Sequence, residues 1–147
     1  MFKICFLDDF YYDFGTIDTT FYVNVDGIDF PDGQWTDYTI SVLYMWISNI
    51  LDSYKNKNAK FVLYFMDGPY YINCSKQESE IHMAFIEDKK CKTTICECNE
   101  NIDIIINELH DASYKIIQAA EKHDLGKLRD LNNLKRSLEL LKALHNS

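Results

Sequence analysis

The spacing of apolar residues changes near residue 99, and this change limits the folds open to the chain. Directly before it, apolar and polar residues alternate in short runs such as Lys92–Cys98, which is the pattern of strands. After it, apolar residues recur every three or four positions, which is the pattern of helices. The two helical stripes are Ile102, Ile105, Ile106, Leu109, Ser113, Ile116, Ile117 and Ala120, then Leu125, Leu128, Leu131, Leu134, Leu138, Leu141 and Leu144. A short break at His123–Gly126 predicts an antiparallel helix pair.

An earlier helix is predicted from about Tyr38 to Tyr54. Its main stripe has no interruption and consists of Ile40, Leu43, Tyr44, Ile47, Ile50, Leu51 and Tyr54, at the spacing of one helix face. Thr36 or Asp37 could cap the first turn by accepting a hydrogen bond from a free backbone amide. A second apolar group that includes Val42 and Trp46 leaves open whether that face is core or interface.

The remaining apolar runs predict strands joined by turns. The predicted strands are Phe2–Leu7, Thr20–Val25, Ile28–Phe30, Phe61–Met66, Tyr70–Cys74, Glu80–Glu87 and Lys92–Cys98. Asp26-Gly27 between two apolar runs is typical of a tight hairpin turn. Because strands cluster instead of alternating with helices, we expect an α+β fold in which an antiparallel β-sheet packs against one aromatic-rich helix. Residues 1–147 would form one domain, with the sheet and first helix in 1–98 and the helical hairpin in 99–147.

Composition supports a globular chain. The 147 residues are 47% hydrophobic and 26% charged, which argues against disorder and gives enough core to fold without metal or disulfide. The longest apolar stretch, Ile40–Ile47, is far shorter than the roughly 20 residues of a membrane-spanning helix.

The odd number of cysteines, five, predicts reduced thiols and a cytoplasmic protein. Thirteen Lys against two Arg is consistent with an AT-rich bacterial source.

Negative charge is concentrated in the first quarter of the chain. Residues 1–37 contain eight Asp and one Lys, so they contribute -7 to a net charge of -8. A nucleic-acid partner is therefore not expected, because phosphate binding needs Lys and Arg. An acidic segment would instead attract a basic protein surface. The alternative is that these aspartates serve only as turn residues.

Part of this acidic segment mixes acids with aromatic residues and predicts a partner-binding loop. Aromatic anchors inside a polar rim are typical of protein interfaces. Asp26 and Asp32 precede glycines in turns, whereas four other aspartates have no evident local role. The predicted binding residues are Asp8, Asp9, Phe10, Tyr11, Tyr12, Asp13 and Asp18, and Phe14 completes the aromatic run.

Two groups of residues could in principle bind a metal ion, and each has a simpler interpretation. Cys91, Cys96 and Cys98, with Cys74 and His82 on neighbouring strands, lack the close knuckle spacing of structural zinc sites, so we expect core thiols. A calcium loop built from Asn24, Asp26, Asp29 and Asp32 would need its glycine and final acid at other positions. We predict neither a metal nor a cofactor, since the chain also lacks a glycine-rich phosphate loop.

Two histidine–carboxylate pairs could in principle move protons. Glu80 and His82 share a strand face, and His110 precedes Asp111 on a helix. Acid–base catalysis needs an oriented histidine close to a reacting group, and no nucleophile motif accompanies either pair. We therefore predict that the protein is not an enzyme, with a small enzyme using the Glu80/His82 face as an alternative.

Two short motifs carry a resemblance to a known group of proteins. They are Trp35-Thr36-Asp37 and Phe65-Met66-Asp67-Gly68-Pro69-Tyr70. With the aromatic helix between them, residues 20–75 resemble small, mostly uncharacterised bacterial proteins found beside secreted polymorphic toxins and presumed to be immunity proteins. The resemblance implies a cytoplasmic, non-catalytic protein that binds and blocks one toxin. An adaptor or structural interaction module is the alternative, because both motifs also have structural explanations as a helix staple and a hairpin turn.

Overall fold

The computed structural model describes residues 1–13, 16–125 and 129–145. These residues contain two antiparallel sheets and three helices. The fold is α+β, as predicted. In chain order the elements are β1 Phe2–Phe6, β2 Tyr11–Asp13, β3 Thr16–Val25, β4 Ile28–Phe30, β5 Thr36–Asp37, α1 Thr39–Tyr54, β6 Asn58–Tyr64, β7 Tyr70–Gln77, β8 Glu80–Asp88, β9 Lys92–Asn101, α2 Ile102–Lys122 and α3 Arg129–His145.

The first sheet is organised around β3, the strand with which β1, β2, β4 and β5 all pair. The hairpin from β3 to β4 turns at Asp26 and Gly27, whose φ angles are 51° and 91°. Positive φ at both positions is the requirement of the tight turn that matches strand twist. The predicted hairpin is therefore confirmed, and the structure places Val25 opposite Ile28.

The second sheet is a meander in the order β6-β7-β8-β9. Where one sheet was expected, the strands divide into two. The last strand also continues to Asn101, three residues beyond the predicted end at Cys98, and the side chain of Asn101 accepts a hydrogen bond of 2.8 Å from the Asp103 amide. The same residue thus ends the strand and caps α2.

Aromatic side chains fill the space between the two sheets. Phe30 from the first sheet lies with its ring centroid 5.3 Å from that of Phe85 and 5.7 Å from that of Phe65. Phe21 packs on Trp46 of α1 at 5.5 Å. Edge-to-face and tilted contacts of this kind add to the free energy gained by burying the rings.

Helix α1 lies along the outer edge of β6. The indole of Trp46 donates to the carbonyl of Tyr64 at 2.8 Å, and the amide of Asn49 donates to the carbonyl of Val62 at 3.0 Å. These bonds satisfy a row of backbone groups that an edge strand would otherwise expose. Val42 and Trp46 are completely buried, so the second apolar face of this helix contributes to the core.

The C-terminal helices pack on each other, and α3 also packs on α1. The predicted stripe of α2 is buried throughout, and so are four of the predicted leucines of α3: Leu131, Leu134, Leu138 and Leu141. Leu128 lies outside the described residues. Within the described part of the chain, no helix is both long and apolar enough to cross a membrane.

Candidate functional site

The loop that follows β1 is attached to the first sheet by Asp9. Its carboxylate accepts hydrogen bonds from the amide of Thr20 at 2.8 Å and from the hydroxyl of the same residue at 2.5 Å. Two bonds to one residue of the central strand hold the loop in place. The expectation that Asp9 lacks a local role is therefore wrong, because the loop folds back over β3.

The next contact attaches the loop to the end of α2. The Asp8 carboxylate lies 2.8 Å from Nε2 of His123, with both side chains partly exposed. The ring of Phe10 packs on the same histidine at a centroid distance of 5.4 Å. His123 was not predicted as a site residue, since it lies far from the loop in sequence and only the tertiary fold brings it there.

Asp18 does not belong to an exposed loop. It lies within β3 opposite Tyr11 and is only 1% exposed, so its predicted place on a solvated surface is wrong. Residues 11–13 form β2 where a loop was expected. The side chains of Tyr12 and Asp13 lie outside the described part of the structure, and Phe14 lies outside the described residues altogether.

Setting aside Asp9, which is exposed but bonded to Thr20, the accessible residues define a smaller surface than the sequence predicts. We call it the loop surface: Leu7, Asp8, Phe10, Tyr11 and His123. Leu7 is 58% exposed and Tyr11 40% exposed. The loop surface therefore combines two exposed apolar side chains with a carboxylate that lies within hydrogen-bond distance of His123.

The two motifs that carry the resemblance meet at one buried carboxylate, that of Asp37. It is fully buried and accepts hydrogen bonds from the indole of Trp35 at 3.1 Å and from the amide of Tyr38 at 2.8 Å. The backbone amides of Met66 and Asp67 donate to it at 3.1 and 3.4 Å. Burial raises the pKa of Asp37 above its ordinary value, and the hydrogen bonds oppose that rise.

The rings of the two motifs also pack together. Trp35 lies edge-on to Tyr70 at a centroid distance of 5.0 Å. A Cβ added at Gly68 would lie 2.6 Å from the Trp35 ring, and the φ of this glycine is +70°. Only glycine fits that turn. The predicted staple and turn are thus parts of one structural unit.

The predicted cap is wrong, because Thr36 and Asp37 form β5 and α1 begins after Tyr38 without a side-chain cap.

The cysteines vary in burial. Cys74 is buried, Cys96 and Cys98 are half-buried, and Cys91 is exposed, so the core interpretation is wrong for Cys91, which lies at the turn before β9. Burial raises the pKa of Cys98 to about 11, which leaves it a thiol at neutral pH. Among the described residues, no three His, Cys, Asp or Glu side chains are grouped to hold a metal ion.

The residues considered for a calcium loop bond to nearby groups in the turns. Asn24 donates to Asp29 at 2.8 Å and accepts from the amide of Gly27 at 3.2 Å, which stabilises the β3–β4 hairpin. Asp32 accepts from the amide of Gln34 at 2.8 Å. These contacts are the local turn chemistry of Asp and Asn.

His82 forms a pair with Glu97 and not with Glu80. Its Nε2 lies 3.0 Å from a Glu97 oxygen, and its Nδ1 lies 2.9 Å from the side-chain oxygen of Asn99. These two bonds raise the pKa of His82. Ser75 faces His82 across the sheet, but both ring nitrogens are already bonded to other groups. In the second predicted pair, His110 lies 3.3 Å from Asp111 on the exposed face of α2.

Comparisons of the chain with protein-family models, with curated proteins and with solved structures found no match.

Proposed function

We propose that this chain is a non-catalytic binding protein of the bacterial cytoplasm that binds a basic protein partner. The observation that carries the proposal is the loop surface, where exposed Leu7 and Tyr11 accompany the fixed carboxylate of Asp8. The resemblance of residues 20–75 to presumed immunity proteins suggests a toxin domain as the partner. On this proposal, binding covers the toxin and blocks its activity.

The loop surface suits binding because it is ordered before a partner arrives. Asp9 attaches it to β3, and the Asp8–His123 pair attaches it to α2. A surface that is already in its binding conformation loses less conformational entropy on association. Its negative charge would attract a basic surface and speed the encounter.

The arrangement of His82 favours binding over catalysis. A general base needs a free nitrogen directed at the proton it removes. Both nitrogens of His82 bond to acceptor oxygens, and these bonds favour the charged ring. The alternative of a small enzyme on this face therefore has less support than a binding role.

The proposal is tested by capturing the partner with the immobilised protein from lysate of a strain that carries the gene. The test variant is Asp8→Asn with Tyr11→Ala, which removes a charge and an exposed ring. Asp9 and Asp18 are left unchanged in this variant. The matched control is Asp52→Asn, which removes an exposed charge on α1.

We expect a basic protein to be retained by the wild type and the control, and lost or reduced with the loop variant. Equal retention by all three would overturn the loop surface as the binding site. A captured protein that is a toxin domain inhibited by the chain would support the immunity role, whereas a captured protein without toxic activity would favour the adaptor alternative.

A further inference from the structure

The outer edge of β1 is closed over its first half by carboxylates. The amide of Phe2 donates to Glu100 at 3.0 Å, and the amide of Ile4 donates to Glu108 at 2.8 Å. Edge strands attract other strands unless their backbone groups are covered. Over this half, the two glutamates occupy the positions that an added strand would use.

The same edge is open at the next outward residue, Phe6. Alternate residues of a strand turn their backbone groups to the same side. The amide of Leu7 bonds inward to the Thr20 carbonyl at 3.0 Å. The backbone N–H and C=O of Phe6 therefore point away from β3, as those of Phe2 and Ile4 do. Among the described residues, no side chain bonds to the outward backbone groups of Phe6.

A groove of about 340 Å³ lies between β1 and α2 at this point. Ile4, Phe6 and Ala112 give it an apolar lining, and Glu108 and Asp111 add carboxylates from α2. Ala112 is buried beneath it. The groove thus offers an open backbone edge and acidic side chains at the same place.

The charges around the groove favour a cation. Asp29, Glu108 and Asp111 are opposed by Lys3 and Lys115, which leaves an excess of negative charge. Cys5 also lines the groove. The pKa of its thiol is raised mainly by burial, and the negative charges of Asp29 and Glu108 raise it further. Leu7 lines the groove and also belongs to the loop surface, so the two are continuous.

We propose that this groove takes a short extended segment of the basic partner. The main chain of that segment adds to the free edge of β1 at Phe6, and one Lys or Arg side chain lies against Glu108 and Asp111. Strand addition supplies main-chain hydrogen bonds, and the flanking acids supply side-chain specificity. This inference rests on the proposed function and specifies how the partner is bound.

The test uses two synthetic peptides, acetyl-Val-Arg-Val-amide and its neutral counterpart acetyl-Val-Gln-Val-amide. Each is titrated into the ¹⁵N-labelled full chain, and the backbone amide shifts are followed by NMR. We expect the arginine peptide to shift the amides of Phe6, Leu7 and residues 108–115 and to slow hydrogen exchange at Phe6. Absence of these shifts, or equal shifts with the glutamine peptide, would overturn the proposal.

Two variants separate the groove from general charge. Glu108→Gln keeps an oxygen for the Ile4 amide, and with Asp111→Asn it removes both acids. Asp103→Asn, also exposed and on α2, is the control. The double variant should bind the arginine peptide about two- to fivefold more weakly per charge removed, while the control binds it as the wild type does. Weakening by the control to the same extent would contradict a specific groove.

Failure of the groove and failure of the proposed function give different results. If a basic protein is still captured through Asp8 and Tyr11 while the peptide does not bind, the groove inference is overturned and the proposed function stands. If the peptide binds in the groove but no basic protein is captured, the preference of the groove for an arginine-bearing strand is supported, whereas the proposed function fails.

Discussion

Asp37 joins two parts of the chain that are distant in sequence. Its carboxylate receives donors from Trp35 and Tyr38 on one side and from Met66 and Asp67 on the other. Removing it would leave these partly buried donors without their acceptor, at a free-energy cost of about 1–3 kcal/mol for each group that water does not reach.

We predict that Asp37→Ala lowers the free energy of unfolding by about 2–4 kcal/mol. Asp37→Asn should cost nearly as much, because its NH₂ group would face backbone donors. The control Asp32→Asn changes an exposed turn residue and should stay within about 0.5 kcal/mol. Urea titration followed by circular dichroism measures all three. A loss below about 1 kcal/mol for Asp37→Ala would mean that water or relaxation replaces the lost acceptor.

His82 is predicted to titrate above its ordinary pKa of 6.5, because Asn99 and Glu97 bond to its charged form. A folded pKa above the unfolded one gives stability that is fully present below about pH 6.5 and is lost as pH rises through the folded value. The effect is small because the ring is exposed. NMR titration of the ring protons should show a lower pKa in Glu97→Gln. An unchanged pKa in that variant would contradict the role of Glu97.

At the scale of elements, regular spacing made α1 predictable to within a residue at its start, whereas its capping was not predictable. The stripe through Leu43 and Ile47 was identified because helical periodicity is local to the sequence. The capping expectation at Asp37 failed because Thr36 and Asp37 pair with Thr20 and Thr19 of β3, and such long-range pairing overrides local capping preferences. The Asp26-Gly27 hairpin was also predictable, because its turn signal lies in two consecutive residues.

Leu43→Ala and Ile47→Ala should each cost about 2–5 kcal/mol of unfolding free energy, since both side chains are fully buried. Tyr44→Ala is the comparison, because this residue of the same helix is 38% exposed and should cost much less. Denaturant titration gives the values. Losses below about 1 kcal/mol at both buried positions would contradict the packing of this face.

The strand arrangement also bears on zinc, and we predict that the protein folds without it. Cys74 and Cys98 both lie opposite Met83 on flanking strands, with the whole of β8 between them. Among the residues that the structure describes, no three His, Cys, Asp or Glu side chains are grouped to hold a metal ion. Elemental analysis after purification without chelator, and thermal melts with and without EDTA, would check this. Stoichiometric zinc with loss of structure in EDTA would refute it.

At the scale of the whole molecule, the fold decides which of the clustered aspartates are accessible to a partner. The sequence located the excess negative charge in residues 1–37, but it could not separate structural from accessible aspartates. Asp18 is buried and Asp9, although exposed, is bonded to Thr20, whereas Asp8 is exposed beside His123. That distinction depends on how β3 and α2 approach each other, which local sequence patterns do not encode. The candidate site was therefore predictable as a region and not residue by residue.

The central claim, that the loop surface binds a basic partner, is tested most directly by association rates measured against ionic strength. For the captured partner, Asp8→Asn with Tyr11→Ala should associate more slowly and with a flatter salt dependence than the wild type, because part of the screened attraction is gone. Asp52→Asn should match the wild type at each salt concentration. Identical rates and identical salt slopes for the loop variant and the wild type would contradict the account.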